Sequence, residues 1–199
     1  MPRPKSLTPE ALAAAALAVV DRDGLPALSM RAVAAELGMG TMSLYRYVRE
    51  KTELEALVVD LILSTVDTRP PAAPWPDQIA VLVRRVRDAV AAHPHAIVLT
   101  MTHRHRSPAL GRWSEAVLEV LAANGFTGAA RVVALRSLLS YLIGAVQLEH
   151  LGPLSGTGTA AMAANAEFPL LAETARAARS VDDGFQRGLE VVLRGISPE

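Results

Sequence analysis

The sequence predicts an all-α protein, and three observations predict it. Every patterned stretch of the 199 residues repeats at helical period, and none alternates apolar and polar residues as a half-buried strand does. Apolar types make up 51% and charged types 20%, an ordinary globular composition with an Ala- and Leu-rich, helix-favouring bias. Helix starts and stops recur along the chain as hydroxyl–proline pairs and as glycines that end apolar runs.

The elements follow in order. Thr8-Pro9-Glu10 combines a hydroxyl N-cap, a proline at the first helical position and an acid near the positive end of the helix dipole. Leu12, Ala16, Val19 and Val20 then share a face until Gly24 stops the helix. Ser29 caps a short second helix with Val33 and Leu37 as its apolar stripe, and Gly38 stands where a left-handed cap is needed. A third short helix is expected from Gly40 or Thr41 to Val48. A long amphipathic helix comes next, its stripe carried by Leu54, Leu57, Val58, Leu61 and Ile62.

"TRPPAAPWP" at 68–76 holds four prolines in nine residues and separates structural units. Beyond it, Asp77 is expected to cap a helix through Ile79, Leu82, Val83, Val86 and Val90. Pro94 opens a short helix, and Ser107-Pro108 starts another that reaches Ala123, with Asn124-Gly125 as its stop. Thr127 starts a long apolar helix over 128–150. Residues 151–166 read as a loose Gly/Ser/Ala loop, and two last helices fall near 167–178 and 182–194. The expected organisation is a three-helix module over 1–51, a connecting helix over 52–67 and a helical bundle over 77–199.

Several classes are set aside at once. The chain has no cysteine, which removes disulfides and cysteine-based zinc sites. "MPRPKSLTPE" is basic but lacks the apolar run of a secretory signal. The longest strongly apolar charge-free run, 137–148, has twelve residues, fewer than the ~20 that span a bilayer. A cytoplasmic protein with no membrane partner and no cofactor is expected. Net charge is zero, but residues 1–51 hold seven Lys/Arg against five Asp/Glu, leaving −2 on the remainder. So small an asymmetry matters only where the cations share a face.

Two short helices, 29–37 and 40–48, joined by Gly38-Met39, have the layout of a helix-turn-helix. In that geometry Gly40, Thr41, Met42 and Ser43 at the start of the second helix reach base edges. Thr41 and Ser43 can bond bases or phosphate, and Met42 can meet a thymine methyl. Leu44 and Val48 face the opposite way, into a core with Val33, Leu37 and Leu54. Tyr45 and Tyr47 offer hydroxyls on rigid rings to phosphate oxygens, and Lys51 sits at the next helix N-terminus, where free amides also attract phosphate. Ser29 and Arg31 complete the expected DNA-binding set, Arg31 within reach of a phosphate or a guanine edge. Arg46 and Arg49 are either further contacts or simply solvated.

"LSMRAVAAELGMGTMSLYRYVREKTELEALVVDLIL" resembles the DNA-binding domain of tetracycline-repressor-like (TetR family) transcriptional regulators, over roughly residues 8–66. The body is similar to the tetracycline-repressor type of C-terminal domain in "LAANGF" (121–126) and "FQRGLEVVLRGI" (185–196). The resemblance implies a DNA-binding head, a fourth helix linking it to a ligand-binding body, and a homodimer on a palindromic stretch of double-stranded operator DNA. It places the base-contacting turn on Thr41, Met42 and Ser43, phosphate contacts on Tyr45, Tyr47 and Lys51, and a base-reading position on Arg31. Repression relieved by a small-molecule effector is the implied activity.

The resemblance also implies an effector cavity, expected to involve Leu61, Leu99, His103, Trp113, Val117, Tyr141, Gln147, Met162 and Phe168. Apolar walls with a few polar tips fit a small, mostly apolar or aromatic molecule. Tetracycline-binding members hold a magnesium–drug chelate with a histidine and acids. Here Met101 falls near the histidine's place, and Gln147 and Glu149 form no matched ligand set, which argues against tetracycline. The histidines of "HPH" (93–95) and "HRHR" (103–106), with His150, raise the idea of a metal site. For His103 and His105, which alternate with arginines ahead of Ser107-Pro108, a solvated loop is the better reading, because side chains at i and i+2 converge well only on a strand. The dimer contact is expected from 131–147, whose small residues Ser137, Ser140, Gly144 and Ala145 permit close helix approach, and from 182–194, which adds Phe185, Leu189, Val192 and Leu193. Two alternatives stand: a helical enzyme using His103 and His105 with Glu115 or Glu149, and a helical partner-binding module that no longer binds DNA.

Overall fold

The computed structural model describes residues 7–151, 157–178 and 183–198, and among them lie eleven α-helices and no strand. The chain forms two compact units. The first takes in the chain up to Arg69 with Arg85–Ala116, and the second Pro70–Arg84 with Val117 onward.

In the first unit, α1 (Pro9–Asp23) starts as the sequence predicts, with the Thr8 hydroxyl accepting a 3.1 Å bond from the Ala11 amide. It buries Leu12, Ala16, Val19 and Val20 and stops at Gly24, φ 81°. Ser29 caps α2 (Met30–Glu36) by accepting from the Ala32 amide at 3.2 Å. Then α3 (Thr41–Leu44) and α4 (Lys51–Ser64) follow. Helix α1 packs on α4 and α2, and α2 on α3. The common core contains Val33, Leu44, Val48 and Leu54, each at most 3% exposed.

Three expectations in this unit are corrected. The third helix is a single turn and does not run to Val48, because Tyr47 N–H bonds back only three residues to Leu44 O (2.9 Å) and Arg46 N–H to Ser43 O. Such bonds tighten a helix end into a turn. On α4, Leu57 and Leu61 are half-buried, and the buried set is Leu54, Val58, Val59, Ile62 and Leu63. The helix packs on α1 and also on α6 (Ile97–His103), which turns its core face toward Val59 and Leu63. Leu37 is half-buried as the C-cap of α2.

The 103–106 stretch is not a solvated loop throughout: His103 ends α6 with its Nε2 3.0 Å from Glu55 Oε2, while His105 is exposed. His93 Nδ1 lies 2.9 Å from Asp21 Oδ2, and His95 Nδ1 lies 3.2 Å from the carbonyls of Val20 and Asp21 at the C-terminus of α1. Asp60 of α4 accepts from the Ser107 hydroxyl (2.6 Å) and the Ala109 amide (2.9 Å), capping α7 (Pro108–Ala123) from a different helix. Asp67 pairs with Arg69 and Arg85, and the Arg69 hydrogen bond holds its carboxyl below the usual range.

In the second unit, α5 begins at Trp75 (Trp75–Ala91), so Asp77 is a first-turn acid and not the cap. Gln78 N–H already bonds Pro74 O at 3.0 Å, and Pro76 is tolerated so near a helix start because no intrahelical partner awaits its nitrogen. Trp75 meets Phe126 edge-on at 5.2 Å. Helix α8 (Gly128–Leu151) buries Ala130, Ala134, Leu138, Leu142 and Val146, a stripe at every fourth residue. Residues expected in the loose loop form α9 (Thr157–Ala164), which packs on α10 (Pro169–Ala178). Alanine is the strongest helix former, and four of its eight residues are alanine. Residues 152–156 lie outside the described ones.

The last helix, α11 (Gly184–Gly195), buries Phe185, Leu189 and Leu193 and packs on α8. Tyr141 donates its hydroxyl proton to the Phe185 carbonyl, with the rings 5.4 Å apart. A Cβ on Gly188 would sit 2.5 Å from that hydroxyl oxygen. The stretch Gly128–Glu149, mean hydropathy 1.5, is longer than the twelve-residue run and by length and composition could cross a membrane, with 28% of its most apolar window buried. The core helix of a soluble protein passes the same test.

The glycines of the turn separate two roles. Gly38 has φ 63°, while Gly40 has an ordinary φ of −72° and open space where a Cβ would go. Gly38→Ala should cost about 1–2 kcal/mol by forcing a side chain into the left-handed region, and Gly40→Ala should leave urea stability within about 0.5 kcal/mol. Leu54→Ala should cost about 2–5 kcal/mol. In the second unit Gly188→Ala should cost about 1–3 kcal/mol by overpacking, and a Tyr141→Phe background should relieve only part of that loss, because the ring edge would still lie 2.9 Å from the new Cβ. Urea unfolding of each variant checks all four.

Candidate nucleic-acid interface

The interface is built on the side of α3 that the core does not use. Leu44 and Val48 are 0% and 3% exposed, which fixes the rotation of the segment about its axis. Met42 is consequently 80% exposed, Tyr45 46% and Tyr47 45%. Thr41 and Ser43 are half-buried, and Gly40 is exposed beside them. Neither tyrosine hydroxyl has a hydrogen-bond partner among the described residues, and each is free to donate to an outside acceptor. Ser29 spends its hydroxyl oxygen on the α2 cap, and Arg31 in the next turn is exposed with no ion pair among the described residues.

Lys51 opens α4, where Glu50 at the cap position makes no side-chain bond to the first-turn amides. Amides left open at a helix start suit an anion. The Lys51 ammonium lies 3.7 Å from Glu55 Oε1, one turn on. The other oxygen of that carboxylate, Oε2, is 3.0 Å from His103 Nε2 of α6. Glu55 and His103 are largely buried, at 14% and 16% side-chain exposure, so one shielded carboxylate holds both Lys51 and α6. Arg46 has no ion pair among the described residues, and Arg49 gives its backbone N–H to Glu53 Oε2 at 2.7 Å.

Glu55 and Asp60 went unnoticed in the sequence. The Lys51–Glu55 spacing is a visible i, i+4 signal. Nothing local announces that Glu55 meets a histidine 48 residues on, or that Asp60 caps a helix at an amide 49 residues on.

The expected effector residues are distributed over both units. Leu61, Leu99, His103 and Trp113 belong to the first; Leu99 and Trp113 are core, and Leu61 lines a cleft with Pro9, Leu57 and Asp60. Val117, Tyr141, Gln147, Met162 and Phe168 belong to the second. Val117 is buried and Met162 half-buried, while Gln147 and Phe168 are exposed. Tyr141 lines an open groove of about 570 Å³ between α8 and α11. His105 and Glu115 are exposed, and no group of three or more His, Asp or Glu residues suited to a metal exists among the described residues. The side chain of His150 lies outside the described ones.

Comparison with known proteins agrees with this architecture. Residues 12–56 match the family model for bacterial regulatory proteins of the tetR family, and 68–199 match the tetracyclin repressor-like C-terminal domain. The chain is 32% identical to an HTH-type transcriptional regulator of Saccharopolyspora erythraea, over 96% of this chain and 85% of that protein. It is 35% identical to the HTH-type transcriptional repressor DrrR1 of Streptomyces coeruleorubidus, over 73% of this chain but only 54% of that protein. Among solved structures, the Streptomyces coelicolor TetR family protein ActR in complex with (S)-DNPA superposes with a TM-score of 0.82 at 26% identity, covering 96% of each chain. The chain belongs to the TetR family of bacterial transcriptional regulators.

Proposed function

We propose that this regulator is a repressor that binds a palindromic operator as a homodimer and is released by a small, mostly apolar or aromatic effector. One observation carries the reading. The face of α3 opposite its buried Leu44 and Val48 presents Met42, Tyr45 and Tyr47 to solvent, with both tyrosine hydroxyls unengaged. In this reading Thr41, Met42 and Ser43 meet base edges, and Tyr45, Tyr47 and Lys51 grip the backbone. Gly40, which nothing inside the chain requires to be glycine, lets the helix start approach the groove closely.

A dimer would set two such helices in successive major grooves, ~34–36 Å apart for half-sites one turn apart. The apolar residues left exposed on α8 and α11 support it: Val132, Val133 and Leu148, with Val191, are 52–61% exposed. A second copy would cover them. That ActR forms a complex with (S)-DNPA supports a small-molecule effector. An effector acts by binding the two states of the protein unequally, so operator DNA must weaken effector binding by the same factor.

An electrophoretic mobility shift with the DNA upstream of the protein's own gene tests the reading. Tyr45→Phe and Lys51→Ala should weaken binding on every sequence, and Lys51→Ala should lower the salt slope by about 1. Changes at Thr41 or Met42 should instead alter which operator is preferred; equal loss on all sequences would remove their base-reading role. Glu55→Gln should tighten operator binding about two- to five-fold by freeing Lys51, the worth of a modest ion pair. That gain should vanish in a Lys51→Ala background. An unchanged or weaker affinity in the single variant would show that Glu55 does not restrain Lys51.

A further inference from the structure

The residues Glu53, Ala56, Leu57, Asp60, Leu61 and Ser64 of α4 recur at i, i+3, i+4, i+7, i+8 and i+11, a single helix face, and none of them is buried. This face borders a cleft within the first unit. Thr8, Pro9 and Leu12 of α1 form one wall, Tyr47 and Val48 another, and Arg106 and Pro108 stand at the remaining side. The cleft encloses about 450 Å³, and a continuation of about 250 Å³ shares Pro9, Leu57 and Asp60 with it. A volume of this size suits a small organic molecule.

We infer that this cleft is a ligand site for an organic cation with an apolar body. Leu12, Val48 and Leu57 supply apolar wall. The charged lining is two carboxylates, Glu53 and Asp60, against one guanidinium, Arg106. Glu53 uses Oε2 for the Arg49 amide, and Asp60 uses Oδ1 for Ser107 and Ala109. Glu53 Oε1 and Asp60 Oδ2 have no partner among the described residues, and each keeps full acceptor capacity in a half-buried setting. Arg106 is exposed and can extend its head into solvent. Tyr47 also lines the cleft, and an aromatic ring beside a bound cation attracts it further. No such site belongs to the expected effector set, of which only Leu61 borders the continuation.

A consequence for DNA rests on the reading of Tyr47 as a backbone contact. A molecule against the Tyr47 ring competes with that contact, and operator affinity falls as the cleft fills. Binding itself does not depend on that reading.

The test uses the full chain without DNA and two ions matched in size and shape but opposite in charge, tetraphenylphosphonium and tetraphenylborate. Isothermal titration calorimetry should find the phosphonium bound at least ten-fold more tightly than the borate. Glu53→Gln should weaken the phosphonium at least five-fold, and Ala56→Trp, which fills the cleft from α4, should abolish its binding. Equal affinity for the two ions, or a phosphonium affinity that neither variant moves, overturns the site. A thermal melt reports whether Ala56→Trp is folded, and if it is not, Glu53→Gln decides. Because no DNA is present, failure of operator recognition leaves this result readable.

Discussion

The burial of Leu54, Val58 and Ile62 along α4, in the helix pair it forms with α1, is the interaction on which the first unit depends. Each of these side chains is at most 1% exposed, and fully burying one contributes about 1.5–3 kcal/mol. That packing fixes the rotation of α4, and the rest follows from it. Lys51 is set at the solvent-facing start of the helix, and Glu55 is turned toward α6. Asp60 meets the start of α7, and Glu53, Ala56 and Leu57 face the cleft. One helix thus carries core, candidate DNA contact and candidate ligand wall on different faces, with no residue serving two of them.

The polar ties around this helix share a physical character. His93, His95, His103 and Ser107 each bond a group on α1 or α4, joining segments 47 to 75 residues apart in the sequence. Individually such bonds, which range from part-buried to exposed, contribute modestly. Their effect is geometric: a shift of α6 or of the α7 start must either break these bonds or move Glu55 or Asp60 with it. This gives an induction mechanism a concrete route inside the first unit, through a carboxylate that already touches the lysine proposed to hold a phosphate.

The legible part of the sequence was whatever chemistry announces locally. Thr8-Pro9, Ser29, Gly24 and Gly38 were readable as caps because hydroxyl oxygens and left-handed φ values answer needs of the adjacent turn. The buried positions Val33, Leu44, Val48 and Leu54 were readable from spacing alone. Spacing failed for Leu57 and Leu61, since a helix with neighbours on two sides has no single apolar stripe. It failed again for residues 157–164, where glycine and serine suggested a loop but alanine propensity and packing on α10 made a helix. The exposed set at Met42, Tyr45 and Tyr47 is legible as a group, whereas the distant partners of Glu55 and Asp60 leave no local trace. The solvated reading fails at His103 for the same reason: its partner, Glu55, lies far back in the chain.

In the proposed function, the exposed face of α3 and the start of α4 form a sequence-reading DNA surface presented twice by a dimer. Selection of double-stranded DNA from a random pool by the purified full chain, followed by hydroxyl-radical footprinting of the enriched site, tests this most directly. The account predicts an inverted repeat whose two half-sites are protected on one face of the duplex, with centres about 10 base pairs or a whole number of turns apart. Enrichment of no sequence, or of one asymmetric site with a single protected patch, would contradict it.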